Sequence, residues 1–253
     1  MTSSKLAVAR LFACDALLGR PPALIYESEP TLADMKARFE RFPIARALVR
    51  GMPGLYTDTS LANATLLENL AGQDAFEGVW MVTPDDAAPQ IEAMAAAGMR
   101  SVWMKGDTNY IRFPLYPWCC GELFDILQEK RIPLLLSWRM IDPNELHEAM
   151  KAFPKMRVII LDGARLGRQV MVEALLKTHP ELYFCFSTSF SLHGGYPELC
   201  KRYGIHRWVW GCGYPDSEEG ASVTGLFYSG IGQEALEAVA HGNIERLLSE
   251  VQI

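Results

Sequence analysis

The chain has 253 residues, a formal net charge of −6 and 21% charged residues. It is large enough to bury a core without disulfides or metal, and it lacks the basic footprint of a nucleic-acid binder. Hydrophobic residues reach 49%, yet no segment approaches the roughly 20 apolar residues that span a bilayer. Asp15 interrupts the short apolar run near the start, so a secretory signal is not expected and the location is read as cytoplasmic. The six cysteines show no CxxC spacing and are read as buried thiols.

Taken in order, Ala9 to Cys14 reads as a first strand and Asp15 to Arg20 as the loop leaving it. Thr31 opens a helix, with Asp34 three residues on and Leu32, Met35, Phe39 and Phe42 at helical spacing. Ala45 to Arg50 is a second strand, followed by a loop around Gly54 and a helix through Leu66, Leu67 and Leu70. Glu77 to Val82 is a third strand, with a helix from Pro89 to Ala97 that Gly98 stops. Arg100 to Met104 is the fourth. The stretch from Lys105 to Trp118, rich in aromatics and proline, reads as an active-site loop or lid.

Gly121 to Lys130 is helical, Pro133 to Ser137 a fifth strand and Asn144 to Phe153 a helix. Val158 to Leu161 is a sixth strand, Val170 to Lys177 a helix and Leu182 to Ser187 a seventh strand. The last strand is Trp208 to Trp210, which runs into Gly211, Gly213 and Pro215. A helical tail carrying Leu236, Val239 and Ala240 follows; Gly242 reads as its stop and Asn243 as the cap of a second short helix. About eight strands alternating with helices predict a single α/β domain over residues 1–253, a (β/α)₈ TIM-type barrel. No GxGxxG or GxxxxGK[ST] follows a strand, so dinucleotide and P-loop sites are not indicated.

Barrel chemistry sits at the carboxyl ends of the strands. The polar residues there are Asp15, Arg50, Lys105, Arg139, Asp162, Arg165, Ser189, His193 and Tyr214, a set suited to an anionic small molecule. Asp15 follows an apolar run and is either a base, a ligand or an acceptor for loop N–H groups. Asp162 in VIILDGA needs a partner to sit beside four apolar residues, and Arg165 and Lys105 are candidates. Lys105 is a possible base or an ion-pair partner; His193, on a loop, is a candidate acid or base. His147, His179, His206 and His241 are read as structural or remote from the mouth, and Cys212 as packing.

Three segments in order resemble one family: TLADMKARFERFPIARALV, GMRSVWMKGDTNYIRFPLY, and RWVWGCGYP followed by GNIERLL. They are similar to the first helix and second strand, the fourth strand and loop, and the closing segments of the amidohydrolase-related superfamily. The branch resembled is that of aminocarboxymuconate semialdehyde decarboxylase and related metal-dependent hydrolases. The resemblance implies a barrel with His-x-His after the first strand, a His after the fifth, a His after the sixth and an Asp after the eighth. Here Cys14-Asp15-Ala16-Leu17, Ser137-Trp138, Asp162 and Gly213 stand at those places, so the usual zinc is not expected and no cofactor or metal ligand is assigned.

Three readings follow. In the first, the chain is a metal-independent hydrolase or carbon-carbon lyase acting on a small carboxylate or cyclic substrate. Asp162 or Asp15 is then the base, His193 an acid, Lys105 and Arg165 stabilise negative charge, and Arg139, Ser189 and Tyr214 bind substrate. The second is a non-catalytic barrel that binds a ligand or partner chain. The third is a metalloenzyme with a carboxylate-rich site for a hard cation. The partner expected is an anionic small molecule, with neither nucleic acid nor membrane; homo-oligomerisation is left open, with Tyr110 to Trp118 as lid or interface.

Overall fold

The computed structural model describes residues 10–19, 29–56, 58–104, 113–163, 169–188, 190 and 195–253. Among these residues nine strand segments and ten α-helices follow one another: β1 (Leu11–Leu18), α1 (Leu32–Phe39), β2 (Ile44–Gly51), α2 (Thr59–Leu70), β3 (Phe76–Gly78), β4 (Trp80–Val82), α3 (Ala87–Ala96) and β5 (Val102–Met104). Then come α4 (Pro117–Glu129), β6 (Leu134–Ser137), α5 (Pro143–Ala152), β7 (Val158–Leu161), α6 (Gln169–Thr178), β8 (Leu182–Phe186) and α7 (Gly195–Tyr203). The chain finishes with β9 (Trp208–Trp210), α8 (Glu219–Phe227), α9 (Gln233–Glu237) and α10 (Asn243–Ser249). Every pairing between neighbours is parallel.

Two ladders, β1-β2-β3 and β4 through β9, make one (β/α)₈ barrel in which β3 and β4 are halves of the third strand. The halves part because Asn63 of α2 grips Met81 from outside the ladder. Its Nδ2 donates to the Met81 carbonyl at 2.9 Å, and its Oδ1 accepts the Met81 N–H at 2.8 Å. At that level β2 has turned into a 3₁₀ segment, Met52–Leu55. A side-chain amide thus satisfies backbone groups that would otherwise be buried without a partner. The barrel closes between β9 and β1, where the Leu17 N–H donates to the Tyr214 carbonyl at 3.1 Å.

Alternation along the strands divides the core into two layers. Phe12, Leu48, Met81, Trp103, Leu135, Ile159, Tyr183 and Val209 fill the barrel interior, and Ile244, Leu247 and Leu248 of α10 pack into the same cluster. Leu11, Val82, Val102, Leu134, Val158, Phe184 and Trp208 face the helices. Each fully buried Leu, Val or Phe side chain contributes about 1.5–3 kcal/mol. Helix starts follow local chemistry: the Thr31 and Asp58 side chains accept the N–H groups of Asp34 and Leu61, and Pro117 and Pro143 occupy first turns. No described helix is long and apolar enough to cross a membrane.

Several sequence expectations need correction. β1 runs to Leu18, so Asp15 lies inside the strand and not in a loop after it. Two helices, α7 and α8, were not expected. Gly242 does not stop the tail: Ala238–Gly242 forms a π-helical turn that joins α9 to α10 without a break. Within the expected aromatic loop, residues 105–112 lie outside the described residues.

Candidate functional site

A cavity of about 120 Å³ opens at the carboxyl ends of the strands, bounded by Asp15 and Leu17 of β1, Arg50 of β2, Leu161 and Asp162 at the end of β7, and the turns after β8 and β9. A bulge places Asp15 there. Between Ala13 and Ala16, β1 advances three residues while β2 advances two, from Ala47 to Val49. Such an insertion re-aims side chains near a barrel rim. The Asp15 carboxylate accepts the Cys212 N–H at 2.8 Å on Oδ1 and the Gly213 N–H at 3.0 Å on Oδ2.

This carboxylate ties the first strand to the last. Burial pushes its pKa above the usual carboxylate range, against the opposing pull of the Gly213 N–H, Arg50 and the Cys212 N–H. Gly211 is required by the arrangement, because a Cβ there would lie 2.3 Å from Asp15 Oδ2 and 2.4 Å from Cys185 Sγ. Cys14 and Cys185 lie below, Sγ to Sγ at 3.4 Å, both fully buried. Burial raises both thiols, and that of Cys212, so they are packing groups and not thiolates.

Asp162 follows β7 directly with a positive φ of 45°, a backbone conformation that Asp and Asn adopt more readily than most residues. Its Oδ2 accepts the Ser137 hydroxyl at 2.5 Å and its Oδ1 the Trp138 N–H at 2.8 Å. Burial raises this carboxyl too, countered by Ser137, Arg50, the Trp138 N–H and Arg139. Arg50 therefore acts electrostatically on both acids. Its Nη2 donates to the Asp15 carbonyl at 3.2 Å, and its guanidinium carbon lies 5.8 Å from the Trp103 ring centroid. Its Nε is buried without a partner among the described residues.

Of the residues expected at the mouth, Asp15, Arg50, Arg139, Asp162 and Tyr214 all line this one cavity. The Tyr214 hydroxyl, however, turns away to donate to Asp34 Oδ2 at 2.8 Å, and burial followed by Asp34 raises its pKa. Lys105, Arg165, Ser189 and His193 lie outside the described residues. The partners of Asp162 are Ser137 and Trp138, which sequence spacing did not pair with it. Ser187, Thr188 and Ser217 also line the cavity and were not foreseen; the polar ending of LYFCFST was the available signal. His147 and His179, read as structural, face each other with Nδ1 to Nε2 at 2.9 Å.

The sequence pattern of the amidohydrolase family matches residues 56–249. No curated protein sequence matches the chain. Solved structures match the fold over nearly its whole length. The 2,6-dihydroxybenzoate decarboxylase from Rhizobium has a TM-score of 0.77 at 11% identity, covering 96% of this chain and 99% of that one. A putative 2-pyrone-4,6-dicarboxylic acid hydrolase from Pseudomonas putida has 0.73 at 16%, with coverage of 96% and 99%. A dihydroxybenzoic acid decarboxylase from Polaromonas sp. JS666, with bound manganese and 2-nitroresorcinol, has 0.74 at 14%, with coverage of 96% and 97%.

The described residues do not fit such a metal. Both oxygens of Asp15 and both of Asp162 already accept hydrogen bonds, and the Arg50 cation acts on each. Among the described residues no three of His, Cys, Asp or Glu are grouped to hold an ion.

Proposed function

The chain belongs to the amidohydrolase family, and from that premise we propose that it is a metal-independent hydrolase or lyase acting on a small carboxylate or cyclic substrate, with Asp162 as its general base. The observation that carries this reading is the pairing of Asp162, a carboxyl raised by burial, with Arg50 and Arg139 around one cavity. A base is most effective with a pKa drawn toward the working pH, and burial moves Asp162 in that direction. Asp15 is less suited to proton transfer, because its two backbone N–H partners are fixed. The Ser137 hydroxyl can rotate, donating to ionised Asp162 and accepting from it once protonated.

In this mechanism the guanidinium groups of Arg50 and Arg139 hold the substrate anion. Asp162 then takes a proton from an attacking water or from the substrate, and the cations stabilise the charge that develops. Lys105, Arg165, Ser189 and His193 belong to the proposed set, with His193 as an acid that gives its own proton to the leaving group or carbanion while Asp162 keeps the one it took. The names of the structural neighbours, decarboxylases of dihydroxybenzoates and a hydrolase of a pyrone dicarboxylate, support a small acidic substrate. Elemental mass spectrometry of protein purified without added metal tests the reading, together with turnover of a carboxylate and lactone panel before and after chelation. Chelator-resistant turnover that Asp162→Asn abolishes is expected. Near-stoichiometric metal with chelator-sensitive turnover would overturn it, and binding without turnover would favour a non-catalytic barrel.

A further inference from the structure

The described lining of the cavity is mostly polar and includes the carboxylates of Asp15, Asp162 and Asp216 beside Arg50 and Arg139. Tyr214 is the one aromatic residue in its described lining, and that ring packs edge-on against Phe39 at 5.9 Å with the Arg38 guanidinium 5.2 Å from its centroid. Three hydroxyl-bearing residues, Ser187, Thr188 and Ser217, also line it. Thr188 Oγ1 and Ser217 Oγ are paired at 3.1 Å. Ser187 is only 4% exposed, yet its Oγ has no partner among the described residues. Buried hydroxyls are nearly always hydrogen-bonded in native proteins, so this one is free to pair with a water or a ligand group that comes within its reach.

Size narrows that group. The cavity has a volume of about 120 Å³. It falls below the ~300 Å³ at which pockets for drug-sized ligands begin. We propose that the site takes a small aliphatic hydroxycarboxylate, its carboxylate on Arg50 and Arg139 and its hydroxyl on Ser187. This rests on reading the mouth as an anion site, and it sets the chain apart from its aromatic-acid neighbours. A hydroxyl that meets Ser187 discriminates strongly, because an analogue without it leaves the serine buried and unpaired.

Isothermal titration calorimetry with glycerate, lactate, propanoate, benzoate and 2,6-dihydroxybenzoate tests the proposal. Glycerate and lactate are expected to bind at least about tenfold more tightly than propanoate. Ser187→Ala should weaken the hydroxy acids by about tenfold and leave propanoate unchanged, on the scale of one lost hydrogen bond. Preferential binding of the benzoates, or a preference for hydroxy acids that survives Ser187→Ala, would overturn the hydroxycarboxylate assignment; if Arg50→Gln still abolishes binding, the anion site itself stands. Absence of binding by every acid in the panel, with wild-type protein shown to be folded by its melting transition, would overturn both.

Discussion

Gly211→Ala probes the junction on which the mouth depends. The new methyl would meet Asp15 Oδ2 at 2.3 Å, Cys185 Sγ at 2.4 Å and Asp15 Cγ at 2.5 Å. Neither neighbour has room to yield: Asp15 is held by two backbone N–H groups, and Cys185 is fully buried against Cys14. Overpacking of this kind costs about 1–3 kcal/mol. Displacing the carboxylate also weakens two charge-assisted bonds of about 1.5–3 kcal/mol each. A loss of ~3–5 kcal/mol is expected, and at about 2–4 °C per kcal/mol for a chain of this size it lowers the melting temperature by at least ~6 °C. Calorimetry on Gly211→Ala, Asp15→Ala and the double variant gives the test. With Asp15 shortened, the added methyl should cost clearly less than in wild type. Additivity within about 0.5 kcal/mol would refute the steric account.

Asp162→Asn keeps a residue that tolerates φ of 45° and removes a buried charge. Folded Asp162 holds its proton more tightly than an unfolded Asp, whose pKa is about 3.9, so stability drains as pH rises from there through the folded value. The variant should melt at the same or a higher temperature at neutral pH, with a flatter dependence on pH; a lower melting temperature at neutral pH would contradict this. In the active enzyme, kcat/KM should fall on the acid side with a midpoint above that of an ordinary carboxylate, and a midpoint at or below ~3.9 would exclude Asp162 as base. Asn63→Leu orphans the Met81 N–H and carbonyl and should cost about 2–4 kcal/mol in urea unfolding; a cost under about 1 kcal/mol would mean the strand break does not depend on the amide. Glu250→Gln removes the charge facing Arg157, whose side chain is 1% exposed. Breaking such a pair costs ~3–5 kcal/mol when both partners are buried; with Glu250 a third exposed and Glu181 still 3.7 Å from Arg157, about 1–3 kcal/mol is expected by the same unfolding assay, and no change would refute it.

The strand order was legible because buried parallel strands write themselves as short apolar runs, and VIIL at Val158–Leu161 is found where the sequence places it. What escaped has local causes. Asp15 reads as a loop residue because acids are rare within buried strands, and the bulge that accommodates it leaves no mark in the sequence. α8, EGASVTGLF, contains two glycines and two β-branched residues and forms despite weak helix propensity, through the burial of Val223 and Leu226. At the mouth, chemistry-bearing residues at strand ends pointed to the cavity. Which of them touch was not legible, since Ser137 and Asp162 meet only because β6 and β7 are adjacent in register.

The carboxylate that joins β1 to β9 also sets the order of events in synthesis. Its two backbone partners lie 197 and 198 residues further along the chain. Until the ribosome has released Cys212 and Gly213, Asp15 lacks its two backbone donors, and the mouth lacks its Ser217 wall. Contacts of such separation form late and slowly. A nascent or truncated chain ending before Trp208 carries Arg50, Arg139 and Asp162 but lacks the backbone N–H groups that fix Asp15 and the Ser217 side of the cavity.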